Sequence, residues 1–329
     1  MRLAILDDYQ DVALSLADWG RLGDDVEIER FTDTIRDEGR LIERLKHFDI
    51  LCLMRERTPI TESLLAHLPN LKHIYTSGMR NKSIDLEACR RGGVVVTGSP
   101  TLDYPTAELT MGLVLALARQ IPRENQSMHA GGWATSLGIG LRGSTLGILG
   151  LGRMGRQVAQ LAGAFGMNVI AWSENLTKAR CEEAGVVLAK SKQDLLRQSD
   201  FVSIHLMLGE RTRGLLGTED FGMMKPSAYL INTARAQIVD EAALIHALEA
   251  GQIAGVGLDV YETEPLPQDH PLRRIENAIL MPHHGYVVEQ NYRNFYEAAV
   301  NNILAWRNGE IINEVTRVTG PQTHVAVNS

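Results

Sequence analysis

Three polar residues in the second half of the chain, Arg235, Glu264 and His283, each follow an apolar run that reads as a buried strand. Arg235 stands in Ile231-Asn232-Thr233-Ala234-Arg235-Ala236, Glu264 in Leu258-Asp259-Val260-Tyr261-Glu262-Thr263-Glu264-Pro265, and His283 in Met281-Pro282-His283-His284-Gly285. In an open α/β sheet the carboxyl ends of the strands face the ligand crevice, so these side chains are expected to meet there. A guanidinium offers a planar fork of donors to a carboxylate and to the alkoxide that develops on a neighbouring carbonyl. An imidazole can deliver a proton to that oxygen near neutral pH. A carboxylate on the other ring nitrogen would fix the tautomer. Together they suit the reduction of a 2-keto acid by hydride. His284 is a rival to His283, with a side chain expected to point the other way if the backbone is extended; Glu262 is likewise a rival to Glu264.

A hydride donor has its own signature. Gly150-Leu151-Gly152-Arg153-Met154-Gly155 matches G-x-G-x-x-G directly after the apolar run Leu146 to Leu149 and directly before the helical pattern Arg156 to Phe165. The first glycine permits a tight turn, the second lets a pyrophosphate approach the backbone, and the third lets helix and strand pack closely. The helix start then presents free N–H groups to phosphate, and Arg153 can add a charged contact. The acid that holds the adenosine ribose is expected about 20 residues beyond the glycines. Ser173 occupies that place. Serine does not repel a 2′-phosphate, and Lys178 and Arg180 follow; Glu174 argues the other way. The balance tips toward NADP over NAD.

Two units must carry these groups, since 329 residues suit two domains of ordinary size. Strand-length runs separated by room for helices fall at Leu3 to Leu6, Val26 to Phe31, Ile50 to Met54, Leu71 to Thr76 and Val94 to Thr97. A mostly apolar helix is expected from Pro105 to Gln120, with proline at its start. Seven further strands are expected near Thr145 to Leu149, Asn168 to Ser173, Val186 to Ala189, Phe201 to Leu206, Ala228 to Asn232, Ala254 to Val260 and Ala278 to Met281. A helix from about Val288 to Arg307 and a polar tail close the chain. The fold class read from this order is α/β: a Rossmann doubly wound parallel sheet, residues 105–287, inserted into a smaller α/β substrate domain made of 1–104 and 288–329.

Charge and composition exclude other classes. A net charge of -7 gives no field that gathers nucleic acid or an anionic membrane. The longest apolar run, Met111 to Ala118, is far below the ~20 residues that span a bilayer. Met1 to Gln10 runs into Asp7 and Asp8, so no export signal is expected. Cys52, Cys89 and Cys181 are far apart with no Cys-x-x-Cys pair, so neither a zinc site nor a disulfide framework is expected and a cytoplasmic, reducing setting fits.

The glycine fingerprint, the Asn-Thr-Ala-Arg segment with Ile238-Val239-Asp240-Glu241 behind it, the Asp-Val-Tyr-Glu-x-Glu-Pro segment and the Pro-His segment occur in an order that resembles the D-isomer-specific 2-hydroxyacid dehydrogenases. The resemblance covers nearly the whole chain. It implies a flavodoxin-like domain joined to a Rossmann domain, a homodimer, and catalysis by Arg235, Glu264 and His283 on a 2-keto or 2-hydroxy acid. It also implies that Asp259 holds the nicotinamide carboxamide, that Thr233 and Ala234 line the nicotinamide, and that the backbone of Ser77-Gly78-Met79 binds the substrate carboxylate. Two departures stand out: Ser173 replaces the ribose-binding acid, and His284-Gly285-Tyr286 replaces the commoner apolar-Gly-Gly. The same fold serves cofactor-sensing corepressors, and formate dehydrogenase of the same family usually has Gln where this chain has Glu264.

Overall fold

The computed structural model describes residues 1–315. The polar tail assigned from sequence to the first domain, 316–329, lies outside the described residues. The chain divides into two compact units, one formed by Met1–Leu102 with the returning segment that starts at Val288, the other by Asp103–Val287.

The first unit is built on a five-stranded parallel sheet of β1 (Arg2–Ile5), β2 (Glu27–Arg30), β3 (Ile50–Leu53), β4 (His73–Thr76) and β5 (Val95–Gly98), in the order β2-β1-β3-β4-β5. The central strands are short apolar runs because both their faces are covered: every residue of β3 and β4 is buried. The helix Glu289–Arg307 returns to this unit through its apolar face. The Tyr75 hydroxyl donates to the Phe295 carbonyl at 2.6 Å, and Trp306 stacks on the buried His73 ring at 5.0 Å.

The second unit holds seven parallel strands: β6 (Thr145–Leu149), β7 (Asn168–Trp172), β8 (Val187–Leu188), β9 (Phe201–Ile204), β10 (Tyr229–Asn232), β11 (Gly255–Leu258) and β12 (Ala278–Leu280). Their order, β12-β11-β10-β9-β6-β7-β8, reverses between β6 and β9, the arrangement of a doubly wound dinucleotide-binding sheet. The helix Pro105–Ala118 packs on the β10, β11 and β12 side, burying Met111, Leu113, Val114 and Leu117. Gly257 makes that approach possible, since a Cβ there would lie 3.2 Å from Leu113. Among the described residues, no helix is long and apolar enough to cross a membrane and no group of acids, histidines or cysteines is placed to hold a metal ion.

Candidate active site

At the carboxyl end of β6 the three glycines differ in what constrains them. Gly150 has φ +101°, and a Cβ there would come 2.9 Å from the His205 backbone at the end of β9. Gly155 packs the helix Arg153–Ala164 onto the turn so closely that a Cβ would lie 2.2 Å from the Gly150 carbonyl oxygen. Gly152, the residue before that helix, faces open space. A tight turn, a close helix and an uncovered backbone between them form the cradle a pyrophosphate needs, so the residues present fit a dinucleotide. Met154 is half-buried beside the helix start, and the Arg153 guanidinium sits 3.8 Å from the Asp103 carboxylate. Ser173 is half-buried one residue past β7. Next to it, the exposed Glu174 lies 3.9 Å from Arg211, while Lys178 pairs with Glu182 at 3.5 Å.

His283, Glu264 and Arg235 belong to this same unit. The His283 Nδ1 lies 2.7 Å from Glu264 Oε2, with each side chain 34% exposed. The other carboxylate oxygen, Oε1, accepts the Tyr261 N–H at 2.9 Å. Burial pushes the Glu264 carboxyl upward, but the His283 hydrogen bond and charge, the Tyr261 N–H and the Arg235 guanidinium together bring it below the ordinary value. Glu264 is therefore a carboxylate at neutral pH. That settles which atom carries the ring proton: an ionised partner only accepts, so Nδ1–H donates to it and Nε2 is directed elsewhere. Glu262 is exposed, whereas the Glu264 carboxylate is the one that meets His283 Nδ1.

Arg235 lies just beyond β10. Its Nη1 donates to the Ala234 carbonyl at 2.7 Å, while its own carbonyl accepts from Asn232 Nδ2 at 3.0 Å. Thr233 is buried with its hydroxyl 2.9 Å from that of Thr110 in the helix Pro105–Ala118, and the Ala234 N–H donates to Asn232 Oδ1 at 3.0 Å. The segment after β10 is thus anchored on both sides of the guanidinium.

The backbone at His283 corrects the alternation expected there. Its φ is +53°, a left-handed conformation that non-glycine residues adopt at a cost, so the chain turns instead of running extended. Asp259 holds this turn: its two carboxylate oxygens accept the His284 N–H at 2.6 Å and the Gly285 N–H at 2.8 Å. Thr106 adds a hydrogen bond to the Gly285 carbonyl at 3.1 Å, and Tyr286 meets the His283 ring edge-on at 5.8 Å. The sequence reading missed these supports. The one signal for them was Gly285, where a Cβ would press on Asp259 and Thr106 at 3.0 Å.

Burial holds the Asp259 carboxyl up at about 6, against the lowering pull of both N–H groups and His283. A folded-state value above the ordinary 3.8 means a stability contribution present below that pH and lost as pH rises through about 6. Asp259→Asn removes this loss. The Tm difference, variant minus parent, is expected to rise by on the order of 5 °C between pH 4 and pH 7 in thermal melts. A flat or falling difference would show that the two N–H bonds outweigh burial.

In the first unit, Ser77, Gly78 and Met79 follow β4. The Ser77 hydroxyl accepts the Arg55 N–H at 2.9 Å, and its carbonyl accepts from Arg55 Nη1 at 3.1 Å. Gly78 has φ +103° and lies against that guanidinium, which any side chain there would displace. Arg80 is exposed.

Comparison with known proteins decides the family. Residues 111–285 match the family described as D-isomer specific 2-hydroxyacid dehydrogenase, NAD binding domain. The chain belongs to that family. Among its relatives, the D-3-phosphoglycerate dehydrogenase of Methanocaldococcus jannaschii is 37% identical over 295 residues, 89% of this chain and 56% of the relative, so this member spans little more than half of that protein's length. The glyoxylate reductase of Aeropyrum pernix is 37% identical over 282 residues, 82% of this chain and 83% of the relative. A phosphoglycerate oxidoreductase of Vibrio cholerae O395, solved by crystallography, superposes with a TM-score of 0.88 at 39% identity, covering 94% of this family member and 99% of that chain.

Proposed function

We propose that the protein reduces a small 2-keto acid to the D-2-hydroxy acid, reversibly, with a nicotinamide dinucleotide. The observation that carries this reading is the 2.7 Å contact of His283 Nδ1 with an ionised Glu264, which leaves Nε2 as the group able to face substrate. When bound on the Gly150, Gly152 and Gly155 cradle, the nicotinamide supplies the hydride. Arg235 pairs with the substrate carboxylate and polarises the carbonyl, steadying negative charge on its oxygen as hydride reaches the carbon. The doubly protonated His283 ring then gives its Nε2 proton to that oxygen, the carbonyl π pair becomes the O–H bond, and the ring is left neutral with its remaining proton on Nδ1. Glu264 keeps the ring in the tautomer and orientation this transfer requires. In the reverse direction His283 accepts the hydroxyl proton.

Several finer assignments belong to the same reading. Thr233 and Ala234 line the nicotinamide, and Asp259 holds its carboxamide with lone pairs not used by the His284 and Gly285 N–H groups. Met154 and Arg153 flank the pyrophosphate; Arg153 turns from Asp103 toward phosphate. The Ser77-Gly78-Met79 backbone takes the substrate carboxylate. The first unit then acts as the substrate domain and the second as the dinucleotide domain. Ser173 favours NADP over NAD, supported by the occupation of Glu174 by Arg211, which reduces repulsion of a 2′-phosphate. A homodimer is supported by the helix Ile121–His129, which buries none of its residues, and by Trp133 and Leu137 nearby, 80% and 96% exposed. Three buried, unpaired cysteines suit a cytoplasmic setting.

The test is the loss of reduced-cofactor absorbance with a panel of glyoxylate, hydroxypyruvate, pyruvate and bulkier 2-keto acids, each with NADH and NADPH. Turnover of at least one acid, faster with NADPH and yielding the D product, is expected. Clear preference for NADH would reverse the cofactor assignment. Cofactor binding with no reduction of any acid would replace the enzyme by a cofactor sensor.

A further inference from the structure

Glu264 sits near the start of the loop that leaves β11 and returns through the short turn Pro271–Arg274. Two side chains outside the Arg235, Glu264 and His283 group brace this loop. Arg273 donates from Nε to the Pro267 carbonyl at 2.8 Å and from Nη2 to the Leu266 carbonyl at 2.7 Å, so one guanidinium ties down the backbone just beyond Glu264. His270 accepts the Leu272 N–H on Nδ1 at 3.3 Å, which places its ring proton on Nε2, and Nε2 lies 3.1 Å from Glu241 Oε1. This second contact is well shielded, with the His270 and Glu241 side chains 17% and 24% exposed.

Glu241 is not a remote anchor. It opens the helix Glu241–Glu249, where a carboxylate is favoured by the helix dipole and Asp240 caps the first turn. A single 3-10 turn, Ala236–Ile238, separates this helix start from Arg235. Val239 beside it is fixed by a parallel bridge to Leu216, and the Asp240 N–H by the Leu216 carbonyl at 2.9 Å. The hydrogen bond from His270 to Glu241 therefore joins the loop that carries the carboxylate to the segment that carries the guanidinium.

We propose that the His270–Glu241 hydrogen bond, with the Arg273 fork, is a positioning brace that fixes Glu264, and through it the His283 ring, relative to Arg235. This rests on the reductase reading for its effect on rate. Glu264 steers His283 through one hydrogen bond, and a misplacement of about 1 Å at such a contact costs up to about 10²-fold in rate. A carboxylate carried on a loop needs an external tie to hold that tolerance, and His270 supplies it from the loop itself.

Glu241→Ala is expected to lower kcat about tenfold with KM for the keto acid, cofactor affinity and Tm nearly unchanged, a partial loss of the positional gain. Glu241→Gln keeps an acceptor oxygen for the His270 N–H and restores most of the rate. In a Glu264→Gln background, Glu241→Ala has no further effect, because the group it positions is already lost. Losses that multiply in the double variant, or a fall in Tm that tracks the fall in rate, would overturn the proposal. Should Glu241→Ala fail to fold, Arg273→Leu tests the same brace from the exposed side of the loop.

The His283 imidazole ¹⁵N spectrum reads the brace without turnover. A single Nδ1–H tautomer is expected in the parent and an averaged one in Glu241→Ala. If no keto acid is reduced but the spectrum changes in this way, the reductase reading fails and the brace stands. If the parent turns over and Glu241→Ala alters neither spectrum nor kcat, the brace fails and the reductase reading stands.

Discussion

His283→Ala lowers kcat on the order of 10² to 10⁴-fold, with the affinity for reduced cofactor unchanged. The expectation follows from the division of labour within the second unit. The ring touches Glu264 and Tyr286, whereas the dinucleotide cradle is made by Gly150, Gly152 and Gly155 at the end of a different strand. Alanine also relieves no packing that the cradle needs, because the turn at 283 is held by Asp259 through the backbone of His284 and Gly285. Steady-state kinetics with a fluorescence titration of the cofactor separates the two quantities. A variant with near-normal kcat would remove His283 from the proton transfer and leave His284 as the residue to test.

Arg235→Lys is expected to reduce kcat/KM on the order of 10² to 10³-fold, although the charge is kept. Lysine is a point charge and cannot bridge the carboxylate and the developing alkoxide as a guanidinium fork does. The substitution is informative because Arg235 also helps keep Glu264 ionised. Lysine preserves a cation near that carboxylate, so a loss of rate reports geometry instead of a change in the protonation of Glu264. Kinetics at several pH values make the separation: the loss should be the same across the neutral range. A loss confined to low pH would mean that the guanidinium acts mainly through Glu264.

Much of the architecture was legible because strands buried on both faces leave a plain trace. Leu146 to Leu149 and Ile50 to Leu53 are apolar without alternation, and both lie inside parallel sheets. The glycine motif was equally readable, since each glycine answers a local demand of turn, approach or helix packing. The boundaries shifted by a few residues at strands and helices alike: the strand expected from Leu71 starts at His73, the one expected to reach Leu206 ends at Ile204, and the helix expected to reach Gln120 stops at Ala118, with Gln120 left-handed at φ +52°. What the chain's order did not disclose are contacts between distant segments. That Asp259 would grip the backbone after His283, that His270 would reach Glu241 across 29 positions, and that His283 would itself adopt a left-handed φ all depend on which loops meet at the strand ends. Residue types alone assign a histidine a chemistry; only tertiary placement assigns it a partner.

The convergence of His283 and Arg235 on substrate is tested most directly by a structure of the protein with reduced nicotinamide dinucleotide and oxamate, an unreactive mimic of a 2-keto acid. His283 Nε2 and an Arg235 N–H are each expected within ~3 Å of the oxamate carbonyl oxygen, with Nδ1 still on Glu264. Oxamate bound away from both side chains, or a His283 ring turned from the nicotinamide, would contradict it.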